Sequence, residues 1–190
     1  MTHFLKEVQR AEEELLVGNV ILYPTDTIWG LGCDAENEKA VQKIYEIKQR
    51  PSEKPFILLV ADEQMLKQYV TELPEKFTEL RQQQQRPTTY VFENAQNLTA
   101  SLMREDKTIA IRIPEDEFCQ RLIRNFGRAI VSTSANLSGQ NSGSSLQDVP
   151  DEILQKVDYV VNWRQDEQLQ SAPSRIVKLQ ADGTTQVIRD

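Results

Sequence analysis

Val20-Ile21-Leu22-Tyr23-Pro24-Thr25-Asp26-Thr27-Ile28-Trp29-Gly30-Leu31-Gly32 is an apolar run that breaks into a polar, glycine-bearing connection. Val20 to Tyr23 is predicted to be a buried strand. Two readings fit the connection from Pro24 to Gly32. It is a tight link between two strands, or it is part of a site. Thr25, Asp26 and Thr27 carry short polar side chains that bond nearby backbone or a bound ligand. Gly30 and Gly32 remove side chains where something approaches closely.

Around that stretch the pattern alternates between helix and strand. Phe4 to Val17 has helical spacing and stops at Gly18-Asn19. Asn37 caps a second helix running to Gln49. Phe56 to Val60 is a short apolar strand of the kind buried on both faces. Glu63 to Tyr69 and Glu75 to Gln85 are predicted helices, the glutamines at 82–85 forming a solvated helix end. Thr89 to Glu93 and Lys107 to Ile113 are predicted strands, Phe118 to Phe126 a helix ending at Gly127, and Ala129 to Ser132 a strand. Beyond it lies a Ser-, Asn- and Gly-rich loop to about Ser145. Val149 to Val157 is a weak helix, Asp158 to Val161 a strand, and Ser174 to Leu179 with Thr185 to Ile188 a hairpin through Ala181-Asp182-Gly183. The class is α/β with a mixed sheet, and no repeat or linker divides residues 1–190, so a single domain is expected.

Composition narrows the chemistry. The chain has a formal net charge of −7, which argues against a broad basic nucleic-acid face but leaves room for a locally basic pocket. No apolar run approaches the roughly 20 residues needed to span a bilayer, and no signal peptide is visible. Cys33 and Cys119 are far apart without metal-ligand spacing, which fits a reduced, cytoplasmic setting. The single histidine, His3, is placed in a frayed N-terminus, which disfavours His-based triads and most zinc sites.

Three further segments carry candidate chemistry. Lys48, Arg50 and Lys54 lie beside the strand at 56–60 and form either an anion site or a solvated cationic helix end. Lys48 and Arg50 point to one side together if the chain becomes extended before Pro51. Alternation over Thr108-Ile109-Ala110-Ile111-Arg112-Ile113 sets Thr108, Ala110 and Arg112 on one face; Arg112 either pairs with a carboxylate or sits on an edge in water. Ser132-Thr133-Ser134-Ala135-Asn136-Leu137-Ser138-Gly139 offers hydroxyls and an amide at a strand end, suited to phosphate or carboxylate oxygens. There is no Walker loop and no G-x-S-x-G, so these groups suit holding a substrate rather than attacking one.

These segments, in this order, resemble the YrdC-like family of L-threonylcarbamoyladenylate synthases. The resemblance rests on Tyr23 to Gly32, Lys48-x-Arg50-Pro51, Thr108 to Pro114, Ser132 to Gly139 and Ala172-Pro173-Ser174, and covers roughly residues 10 to 189. It implies a twisted mixed parallel/antiparallel sheet with helices packed around a concave basic cavity. It also implies an enzyme, a nucleotidyltransferase joining L-threonine, bicarbonate and ATP into threonylcarbamoyl-AMP and pyrophosphate for threonylcarbamoyladenosine in tRNA. By the same resemblance Thr27, Arg112, Ser132 and Ser174 contact threonine. Lys48, Arg50, Lys54, Thr108, Ser134, Asn136 and Ser142 surround ATP, Lys48 and Arg50 being the catalytic cations. Mg²⁺ is expected on the triphosphate rather than on protein side chains. tRNA or tRNA-modification proteins are the expected downstream partners, with no membrane.

The chain departs from the family pattern at Leu59, where many relatives have a histidine near the threonine. Trp29 stands in place of the commoner tyrosine or phenylalanine, and Arg175 follows Ser174 where many have threonine. Ending at Asp190, it resembles the short form. Two other readings have weaker support: a non-catalytic YrdC-like RNA-binding protein, and a carbamoyl-transfer role like that of the related domain in hydrogenase maturation proteins, whose zinc-finger-like cysteines are absent here.

Overall fold

The computed structural model describes residues 1–51, 56–168, 172–180 and 183–190. Lys54, and Ala181-Asp182 of the expected terminal turn, lie outside the described residues. The helices are α1 (His3–Leu16), α2 (Glu38–Lys48), α3 (Glu63–Leu66), α4 (Phe77–Gln82), α5 (Glu117–Phe126) and α6 (Asp151–Leu154). The strands are β1 (Ile21–Tyr23), β2 (Gly30–Asp34), β3 (Ile57–Leu59), β4 (Thr88–Phe92), β5 (Ile109–Arg112), β6 (Ile130–Ser134), β7 (Tyr159–Val160), β8 (Arg175–Leu179) and β9 (Thr185–Arg189). One mixed sheet takes them in the order β7-β1-β2-β6-β3-β5-β4-β8-β9. The β1/β7, β3/β5 and β4/β8 pairs are parallel, and the others antiparallel.

Side chains that alternate along the strands divide between two layers. Leu22, Leu31, Leu58, Ile111 and Val131 join the larger core with residues of α2 and α4. Ile21, Tyr23, Leu59 and Ile130 face the other way, under Val8 and Leu15 of α1 and Phe118 and Leu122 of α5. That second layer draws its buried strand residues from β1, β3 and β6, with Tyr159 of β7 packed at its edge. Further across the same face, Ala110, Arg112, Val91 and Ile176 line a cavity instead. The gap in the helical layer is therefore what opens the site.

Caps fix several boundaries. Asn37 accepts from Ala40 N (3.2 Å), and Asp116 accepts from Cys119 N (2.9 Å). Gly127 closes α5 at φ 75°, as its position predicted. Other expectations need correction. Gly30 to Asp34 is a strand, buried at all five positions, where the sequence indicated only a return through glycines. His3 opens α1 and bonds Asn162 O at 2.7 Å instead of fraying. The helices α3, α4 and α6 are shorter than expected. Val70, just past the expected helix end, bridges Ala95, and Pro150 occupies the N-cap of α6. The strand β6 runs on to Ser134 because Ser134 pairs with Gly30 across the ladder.

Gly32 is required by packing. A Cβ there would lie 2.6 Å from Tyr23 Cε1, 3.0 Å from Val131 O and 3.1 Å from Ile130 Cγ2. Tyr23 is fully buried, so its ring has nowhere to retreat. Gly32→Ala is expected to cost about 1–3 kcal/mol, read as a lower urea midpoint at unchanged slope. An unchanged midpoint would show that the ring yields.

Candidate functional site

The loop from β1 to β2 is organised by one hydroxyl. Thr25 Oγ1 donates to Ile28 O (2.7 Å) and accepts from Thr27 N (3.1 Å) and Ile28 N (3.2 Å). With its proton given to Ile28 O, it accepts from Thr27 Oγ1 at 3.0 Å. A short side chain that bonds its own backbone thus sets Thr27 at the cavity wall. On β5, Arg112 is almost fully buried, and its Nη1 donates to Asp26 Oδ1. The carboxylate partner required by a buried arginine is therefore supplied by the same β1–β2 loop. Arg112 Nε is buried and has no hydrogen-bond partner among the described residues.

The exit of β6 is tied down from both sides. Ala135 N donates to Trp29 O (3.0 Å), and Ser138 N donates to Lys48 O (3.0 Å). Lys48 is 1% exposed, and its ammonium donates to Ser134 O (2.5 Å) and Asn136 O (2.6 Å). Ser134 Oγ donates to Asn136 Oδ1, and Asn136 Nδ2 holds Gln140 O at 2.6 Å. Burial, with a smaller contribution from the nearby Arg50 charge, pushes Lys48 down to about 7.

Lys48 and Arg50 do not run on together in an extended segment. Gln49 turns the chain at φ 49°, in the left-handed region, between them. Arg50 reaches the cavity, and its Cζ lies over the Phe56 ring at 5.3 Å, within cation–π range. Burial lowers its pKa from the usual arginine value.

Across the cavity, Ser174 Oγ and Thr89 Oγ1 are 2.8 Å apart, and Arg189 Nη2 donates to Ser174 O at 2.7 Å. The cavity holds about 470 Å³, within the range of small-molecule sites. Of the expected residues, Thr27, Arg50, Arg112, Ser132, Ser134, Asn136, Ser142 and Ser174 line it. Lys48 stands behind the wall, bonded to the loop carbonyls. Thr108 also stays out of the lining, its hydroxyl donating to Asp106 Oδ1 at 2.7 Å. Leu59 pairs with Arg112 in register and is buried under α5, so it leaves an apolar floor beside the arginine. Arg175 is absent from the lining and lies 3.2 Å from Asp190.

Sequence reasoning missed Arg104 and Arg189, which also line the cavity. Arg189 lies one residue past the predicted end of the last strand, where it pairs in register with Ile176; the period-2 alternation carried one residue further would have found it. Arg104 sits in a loop and carries no such signal. Four arginines and no carboxylate are among the described residues of the lining. Such a surface can hold several anionic oxygens, while its hydroxyls and amide fix their orientation.

The Sua5/YciO/YrdC family model, described as telomere recombination, matches residues 13–190. The chain belongs to that family. A threonylcarbamoyl-AMP synthase of Pseudoalteromonas translucida is 38% identical, the match covering 78% of this chain and 81% of that one. One from Acinetobacter baumannii is 40% identical over 74% of this chain and 78% of its own. The solved structure of P. abyssi Sua5 in complex with L-threonine superposes with a TM-score of 0.82 at 28% identity. That match covers 90% of this chain and 50% of the larger protein, so this Sua5/YciO/YrdC chain spans about half the length of that relative. As in the family's solved structures, the sheet is open and mixed. Among the described residues no helix is long and apolar enough to cross a membrane.

Proposed function

We propose that this chain is a threonylcarbamoyl-AMP synthase, acting as one catalytic unit over residues 1–190 in the cytoplasm. One observation carries the reading: a single cavity gathers Thr27, Arg112, Ser132 and Ser174 with Arg50, Ser134, Asn136 and Ser142, in a chain 38% identical to a synthase of that name. Thr27, Ser132 and Ser174 would bind L-threonine, with Arg112 on its carboxylate. Arg50, Ser134, Asn136 and Ser142 would line the ATP side, with Lys48 and Thr108 as positioning residues behind it.

In the reaction, the neutral threonine amine attacks the carbon of bicarbonate, and water leaves as the carbamate forms. A carbamate oxygen then attacks the α-phosphorus of ATP, and the bond to pyrophosphate breaks. No histidine is in the lining, so the chain's own contribution is positioning and cationic stabilisation of the phosphates. Among the described residues no three His, Cys, Asp or Glu side chains cluster as a metal site. Mg²⁺ carried by the triphosphate would offset phosphate charge there. The product would pass to tRNA or to the proteins that modify it.

The test is pyrophosphate release from ATP and bicarbonate with L-threonine, L-serine or no amino acid. Threonine-dependent release is expected, and release indifferent to the amino acid would refute the reading. Arg50→Ala is expected to lower the threonine-dependent rate by about 10²–10³-fold, the effect of losing one preorganised charge donor. A wild-type rate in that variant would remove Arg50 from its assigned role.

A further inference from the structure

The β1–β2 loop is held from outside as well as by its own Thr25 hydroxyl. Three successive residues reach out of it. Pro24 O accepts from Cys119 Sγ at 3.7 Å, Thr25 O accepts from Arg164 Nη1 at 3.4 Å, and Asp26 pairs with Arg112. The Cys119 thiol is a weak donor, and Arg112 itself faces the cavity. Arg164 is absent from the cavity lining, so it acts on the loop and not on a ligand.

Arg164 is placed for that contact by its neighbours. The chain leaving β7 is fastened to α1: Glu7 Oε2 accepts from Tyr159 Oη (2.7 Å) and from Asn162 N (2.8 Å). The Trp163 ring meets that of Phe4 edge-on at 5.2 Å. Arg164 comes next, at φ 57°, in the left-handed region where glycine is favoured. From there Nη1 reaches both Thr25 O and Asp116 Oδ2 (2.8 Å), while Nε donates to Glu167 Oε2 at 2.6 Å. Asp116 is itself fixed, because its Oδ1 caps α5 through Cys119 N. A guanidinium locked by two carboxylates is a rigid donor. A backbone that disfavours a side chain yet is over-determined by such contacts marks a positional task.

We propose that Arg164 is a positioning residue for the synthase reaction, holding the β1–β2 loop through Thr25 O so that Thr27 keeps its place in the cavity wall. Few contacts separate the two. Arg164 holds the Thr25 carbonyl, the Thr25 hydroxyl accepts from Thr27 N and Ile28 N, and Thr27 lines the cavity. The substrate assigned to Thr27 rests on the reading proposed above; the hold on the loop does not.

Arg164→Met tests it by kinetics and by amide exchange. KM for threonine is expected to rise about 10-fold, as for the loss of one hydrogen bond to the substrate. The kcat and the KM for ATP should stay within about twofold of wild type. Hydrogen exchange at the Thr27 and Ile28 amides should quicken by about 10-fold, while that of Ala40, bonded to the cap of α2, is unchanged. Arg164→Gly adopts the left-handed backbone without strain and lacks the same guanidinium, so it should give both results even if the methionine variant folds poorly. An unchanged KM for threonine, both KM values rising together, or a fall in kcat alone would leave Arg164 a structural residue and overturn the proposal. Unchanged exchange at Thr27 and Ile28 would overturn it as well. A wild type without threonine-dependent pyrophosphate release would sink the synthase reading, while the exchange rates would still decide whether Arg164 holds the loop.

Discussion

Arg112→Ala is expected to lower threonine-dependent pyrophosphate release by about 10²–10³-fold and to cost about 3–5 kcal/mol of stability. The two losses have different origins. Activity falls because the guanidinium assigned to the substrate carboxylate is gone. Stability falls because Asp26, whose side chain is 15% exposed, keeps its charge without a counter-ion. Adding Asp26→Asn should restore much of the stability and none of the activity. A double-mutant cycle on urea midpoints measures the coupling, and steady-state kinetics at varied threonine measure the catalytic part. Wild-type turnover by Arg112→Ala would remove the arginine from the site. Melting unchanged in that single variant would mean that Asp26 finds solvent once its partner is removed.

Lys48→Met is expected to lower the rate by about 10²-fold by displacing the Ser134–Asn136 loop, the cost of a small misplacement near the chemistry. The carbonyls of Ser134 and Asn136 lose their donor, at a cost of about 1–3 kcal/mol. A pH signature separates this lysine from an ordinary packing residue. Its folded pKa of about 7 lies below the ordinary 10.5. Between those values the unfolded chain binds more protons than the folded one, so stability rises with pH across that window. Below about 7 both states are protonated and the contribution is flat. Wild type should therefore gain stability relative to Lys48→Met as pH goes from 7 to 10.5. A difference independent of pH would show that Lys48 keeps its full charge in the fold. The neutral amine retains two N–H bonds for the two carbonyls, so the clamp survives the titration.

The helices with full amphipathic periods were readable because several turns repeat the same face. The helix α1 has Val8, Ala11 and Leu15 buried on one side, and α5 has Phe118, Leu122 and Ile123. The one-turn helices were not readable at their ends, because few residues carry the period and tertiary contacts claim the remainder. Tyr69 shows the effect: its hydroxyl donates to Glu36 (2.8 Å) and accepts from Ala129 N (2.8 Å), which draws the segment out of helix. Sequence alone indicates no strand over Gly30–Asp34, because Gly30 and Gly32 fall in the polar connection that follows β1. Close approach of Tyr23 and of β6 selects glycine at position 32 within a ladder.

The sequence by itself determined the alternation of most strands and helices, the polar connections after β1 and β6, and that Arg112 would need a carboxylate if buried. Those properties come from local spacing and from the cost of burying a charge alone. Which carboxylate answers Arg112, and which cations face the cavity, came only with tertiary structure. Asp26 lies 86 positions from Arg112 along the chain, and Ser134 lies 86 from Lys48. One left-handed residue, Gln49, separates Lys48 behind the wall from Arg50 within it. Such partners are chosen by strand order and register, which bring distant segments to one sheet end, and no local pattern of residue types encodes that choice.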